Sequence, residues 1–155
     1  MDYVRLPKVV KLHKYISQTC LVETQRLCWL ATDDKESPLY SAIQGMIPDS
    51  EDGERAMRTE AITEIGEIIA EAAAHGGTTK GPHVAIPGYV PLENFISRVV
   101  LEELWRLTWL ATDSESPLYD EIQDRIPGDE EYRTEARKAL KAIGIIAQKA
   151  RRKCV

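Results

Sequence analysis

The 155-residue chain is predicted to be all-α: a tandem duplication of a three-helix module, packed as a pseudo-twofold six-helix bundle. Three observations predict this. The stretch "WLATDDKESPLY" at 29–40 recurs as "WLATDSESPLY" at 109–119. Apolar residues on either side of both stretches recur at alternating spacings of three and four, which places them on one face of a helix. The Gly-rich run "HGGTTKGPH" at 75–83 reads as the join between two copies.

The match extends well beyond the quoted letters. "VRLPKVVKLHKYIS" at 4–17 lies over "VAIPGYVPLENFIS" at 84–97, "SPLYSAIQGMIP" over "SPLYDEIQDRIP", and "RTEAITEIGEIIAEA" at 58–72 over "RTEARKALKAIGIIAQKA" at 133–150 with small gaps. Residues 1–75 are taken as the first repeat, 76–83 as linker and 84–155 as the second repeat, with both repeats expected to share one core. A three-helix unit of about 75 residues is marginal alone, because so small a core leaves little net stability. Packing of the two copies about a pseudo-twofold axis, as in a homodimer, answers that deficit.

Each copy opens on a proline-containing segment, Tyr3–Val10 or His83–Val90, predicted to be extended. The two segments could pair as a short two-strand ribbon. A long helix follows at about 11–31, and its counterpart begins with Pro91 in a first-turn position. Its apolar seam is Ile16, Cys20, Leu27 and Leu30, repeated as Ile96, Val100, Leu107 and Leu110. Ser37 is placed to cap a short second helix with Pro38 in its first turn, and Leu39, Ile43 and Ile47 form its inner face before Pro48 stops it. Ser116, Pro117, Leu118, Ile122, Ile126 and Pro127 repeat each step. The third helix is expected at about 52–74 and 130–150, with Met57, Ala61, Ile65, Ile68 and Ile69 facing inward.

Composition agrees with a globular chain: 43% hydrophobic and 29% charged residues. No apolar run is long enough for a membrane span, and the N-terminus shows no secretory pattern, so the expected location is cytoplasmic. Cys20, Cys28 and Cys154 form no CxxC or Cys/His cluster; they read as two small core hydrophobes and one exposed thiol. The first 77 residues carry the whole net charge of −5, whereas residues 136–155 hold seven Lys/Arg and no acid.

Few residues suggest chemistry. Glu23 and Glu103 fall within the apolar seams, where a carboxylate is costly unless paired or metal-bound. With Glu60 and Glu135 they could form a di-metal carboxylate site. However, such sites add a histidine three residues after a glutamate, and this chain has none there. The favoured reading is a structural Glu–Arg pair, with Arg26, Arg106, Arg58 and Arg133 as partners and no cofactor. No nucleophile elbow, phosphate loop or dinucleotide fingerprint occurs, so the chain is not expected to be an enzyme. Trp29, Trp109 and Trp105 flank the seams; they read either as buried residues between the copies or as anchors for a partner. Trp105 stands opposite Gln25, so the copies differ there. They differ again in the third helix, where Glu60, Glu64, Glu67 and Glu71 oppose Arg137, Lys138, Lys141 and Lys149.

"YVRLPKVV" resembles the opening strand of ribbon–helix–helix DNA-binding proteins over eight residues. The resemblance implies a ribbon of Tyr3–Lys8 and His83–Gly88 lying in the DNA major groove. The helix that follows is about twice the family's length, its short glycine-containing turn is missing, and "VAIPGYV" has no base-reading cation. The leading expectation is therefore a non-catalytic macromolecule-binding or scaffold protein. Its partner is expected to be another protein, or a second copy of itself, met through Trp29, Trp109, Trp105, Arg26 and Arg106. Nucleic-acid binding through Arg5, Lys8, Lys11, Lys14, Arg151, Arg152 and Lys153 comes second. The di-metal carboxylate protein comes third.

Overall fold

A computed structural model describes residues 18–33, 36–48, 53–74, 79–80, 83–84 and 98–152. Six helices make up the described chain: α1 (Gln18–Thr32), α2 (Tyr40–Met46), α3 (Glu54–Ala74), α4 (Arg98–Thr112), α5 (Tyr119–Arg125) and α6 (Glu130–Arg152). Between α3 and α4, Thr79–Lys80 (β1) pairs antiparallel with His83–Val84 (β2), Thr79 opposite Val84. The ribbon foreseen from the sequence joined Tyr3–Lys8 to His83–Gly88. Here β2 pairs instead with a segment read as linker, and Tyr3–Lys8 lies outside the described residues.

α1 and α4 form the centre. α1 packs against α3 and α4 against α6, while α2 and α5 lean on the ends of α1 and α4. Across the halves α1 meets α6, α3 meets α4, and α1 meets α4. One hydrophobic cluster takes buried residues from all six helices, including Leu21, Leu30, Ile43, Ile62, Leu107, Ile122 and Leu140. The predicted seam residues Cys20, Leu27, Leu30, Val100, Leu107 and Leu110 are all buried in it; Ile16 and Ile96 lie outside the described residues. Met57 corrects the prediction: it is 44% exposed, and Ile62, fully buried, takes the inner place. The reason is helical phase, because Ala61, Ile62, Ile65 and Ile69 define the inward stripe and Met57 lies to its side.

The chain enters each third helix through a left-handed glycine, Gly53 (φ 85°) and Gly128 (φ 103°), a conformation that glycine adopts without steric cost. Asp129 then accepts a hydrogen bond from the Tyr132 amide at 2.8 Å, capping α6. Acidic residues in the first turn of α6 and Lys149, Arg151 and Arg152 in its last turn oppose the helix dipole at both ends.

The register of α3 against α6 departs from the "RTEA" alignment. Arg55 Nε donates to the Ile47 carbonyl as Arg133 Nε does to Ile126, and the Gln44 and Gln123 side-chain oxygens accept from Thr59 and Arg137. Gly66 lies against Cys28 as Gly144 does against Thr108. All three pairs put α3 position n over α6 position n plus 78, so Arg58 corresponds to Ala136 and not to Arg133. Packing on the neighbouring helix sets this register, and the repeated letters fall three residues out of it.

Candidate functional site

The repeated stretch builds a helix end. The last carbonyls of a helix have no intrahelical donor, and here side chains supply the missing donors. Ser37 Oγ donates to the Leu30 carbonyl at 2.7 Å and Gln44 Nε2 to Ala31 at 2.5 Å, while Thr32 Oγ1 adds a second bond to the Cys28 carbonyl one turn back at 2.7 Å. Ser116, Gln123 and Thr112 do the same for Leu110, Ala111 and Thr108. The indole N–H of Trp29 donates to Asp33 and that of Trp109 to Asp113, each one helical turn on. Ser37 Oγ also accepts the Leu39 amide at 3.3 Å, but α2 begins only at Tyr40, so the serine mainly serves the helix before it. The two glutamines were not read from the sequence. Their signal was present, since glutamine holds the same place in "SPLYSAIQ" and "SPLYDEIQ".

Glu23 and Glu103 are both buried, yet they meet different charges. Glu103 receives a hydrogen bond from Arg58 of α3, across the halves, and Arg106 stands 3.3 Å away as a charge contact. Arg58 also bonds Glu54 at 2.7 Å. Glu23 has Arg26 alone, at 3.2 Å, and its Oε1 atom is buried with no hydrogen-bond partner among the described residues. Arg133 does not complete the pair, because the register places Ala136, fully buried, where Arg58 stands in the other half. Burial pushes both carboxyls above the usual range; Arg26 opposes this for Glu23, and Arg106 with Arg58 for Glu103.

A pH dependence follows. With its folded value raised above the ordinary 4.5, Glu23 holds its proton more tightly in the native state. Stability is therefore gained as pH falls through the folded value and is lost as pH rises through it. Glu23→Gln should show a smaller gain in unfolding free energy than the parent chain as pH falls from neutral toward the ordinary carboxylate value of 4.5, measured by urea titration. An equal gain in both would mean that Glu23 does not titrate in that window.

The other foreseen sites separate. Glu60 and Glu135 are exposed while Glu23 and Glu103 are buried, so the four carboxylates proposed as metal ligands do not converge. Among the described residues no group of three potential ligands comes together. Arg5, Lys8, Lys11, Lys14 and Lys153 lie outside the described residues. Arg152 is exposed, but Arg151 is half-buried with its guanidinium stacked 5.0 Å from the Trp105 ring. Burial raises the thiols of Cys20 and Cys28 to about 12, which removes them as nucleophiles. No described helix is long and apolar enough to cross a membrane.

The tryptophans are not equivalent. Trp105 and Trp109 are half-buried and pack on the core, whereas Trp29 is 39% exposed. Trp29 does not lie between the halves. It stands beside an open groove of about 480 Å³ between α1 and α3, whose walls include Gln25, Cys28, Gly66 and Ala70 and whose rim carries Asp33 and Glu67. A second hollow, against Val22, Gln25, Arg26 and Trp29, continues it along α1. Comparison with family models, with curated proteins and with solved structures gave no match to this chain.

Proposed function

We propose that this chain is a non-catalytic protein-binding module, built from two copies of one helical unit, and that it meets its partner at the groove between α1 and α3. The observation that carries the reading is the contrast at one place in the fold. Trp29 and Trp109 sit at matching helix ends with the same aspartate bond, but Trp29 is the more exposed of the two and lines an open groove. A large aromatic beside a hollow is the usual anchor of a binding surface. The buried carboxylates, by contrast, serve the fold, since Glu103 is met by Arg58 from the neighbouring helix and Glu23 by Arg26 of its own helix.

The test is photocrosslinking in the native host. A photoreactive residue at the exposed position 25 is expected to yield one protein adduct that is missing from the same probe at the exposed position 121. The adduct should also disappear on Glu67→Lys, which reverses the rim charge. Equal adducts from both positions, or nucleic acid in place of protein, would overturn the reading.

A further inference from the structure

The second half shows what the groove of the first half lacks. In the shared register Gln25 corresponds to Trp105, and Ala73 corresponds to Arg151. Trp105 packs on the core beside α6, and the Arg151 guanidinium lies over its ring at 5.0 Å. An aromatic ring and a cation thus stack together where the first half has a short amide and a methyl group. In both halves a glycine lets the two helices pack closely, Gly66 on Cys28 and Gly144 on Thr108. The side chains at the matching positions nevertheless differ.

The charges around the open groove fit the missing pair. Asp33 and Glu67 stand on its rim, and Glu60 and Glu64 share the outward face of α3 with Glu67. Arg26, the cation that lines the hollow among the described residues, is already drawn to Glu23 at 3.2 Å. Asp113 matches Asp33, but the position matching Glu67 is Ile145, so the Glu67 carboxylate belongs to the first half alone. Resting on the protein-binding reading above, we infer that the groove receives an aromatic side chain together with an adjacent arginine or lysine from a partner protein. The ring lies against Trp29 and Gly66, and the cation faces Asp33 and Glu67. The partner thereby supplies in trans a ring and a cation, the two groups that Trp105 and Arg151 stack in cis.

The experiment uses the full chain and defined probes, followed by amide and indole NMR shifts. A tryptophan–arginine dipeptide amide is expected to move the Trp29 indole and Gly66 amide signals saturably. Tryptophan–glutamate and alanine–arginine dipeptide amides should each bind at least about tenfold more weakly, the ratio expected when one cation–π or aromatic contact is lost. The variant Gln25→Trp, which sets a ring into the groove from its own wall, should abolish the shifts while unfolding at the parental urea midpoint or above. Equal binding of the three probes, no binding of any, or shifts that persist in the filled variant would overturn the inference. A position-specific protein adduct at residue 25 without dipeptide preference would leave the binding function standing and sink only this choice of ligand. Dipeptide preference without any protein adduct would do the reverse.

Discussion

Arg58→Met is expected to lower the unfolding free energy by about 3–5 kcal/mol, the cost of leaving a buried carboxylate without its main partner. Arg58 is the one side chain that carries positive charge from α3 to Glu103 on α4, so its loss weakens both the carboxylate and the seam between the halves. Arg106 alone then faces Glu103, and its Nε makes a charge contact and not a hydrogen bond. The double variant Arg58→Met/Glu103→Gln should recover much of the loss, because an amide costs far less to bury than an unpaired carboxylate. Arg133→Met should cost only about 1 kcal/mol, since Arg133 gives up a bond to the Ile126 carbonyl and no buried ion pair. Urea unfolding decides it: near-equal losses for Arg58→Met and Arg133→Met would mean that the buried link does not hold the halves together.

The second large effect is expected at the closest helix approach. A Cβ on Gly144 would stand 2.5 Å from Thr108 Oγ1 and 3.2 Å from its Cβ. That hydroxyl cannot swing aside without giving up the hydrogen bond it donates to the Trp105 carbonyl at 2.8 Å. Gly144→Leu must therefore push α4 and α6 apart, at about 3 kcal/mol, the upper range for overpacking a filled core. Gly45 is the control, because nothing lies within 4 Å of its added Cβ. Gly45→Ala should gain about 0.5 kcal/mol from helix propensity. If both substitutions moved the urea midpoint in the same direction, the close contact would not be what fixes the helix spacing.

Much of the fold was legible because helical burial follows a spacing that sequence displays directly. Leu27, Leu30, Leu107 and Leu110 could be placed on an inner face from their intervals, whereas Ser37 and Pro38, read as the cap and first turn of the second helix, precede α2, which starts at Tyr40. The duplicated letters also revealed which corner each half turns. The hydrogen bonds of that corner were less visible. Gln44 reaches back to Ala31 across a turn whose geometry no local interval encodes.

The candidate site was legible only in part. Trp29 could be singled out as an anchor, but its exposure depends on what stands across from it on α3, and Gly66 and Ala70 leave that place hollow. The difference between Gln25 and Trp105 was plain in the sequence. The gapped match of 58–72 to 133–150 already held a three-residue offset. Packing on the neighbouring helices decided that the offset applies from Arg55 onward, which sets Arg58 against Ala136 and Ala73 against Arg151.

The sequence by itself determined an all-helical chain, the inner face of its central helices and the corners that end them. These follow from local intervals and from backbone groups that need partners near in sequence. Tertiary structure alone decided which glutamate meets two arginines, which tryptophan stays at the surface and where a groove opens. Those outcomes depend on side chains brought together from separate helices, and a one-turn difference in how two helices slide past each other is enough to exchange arginine for alanine at a buried carboxylate.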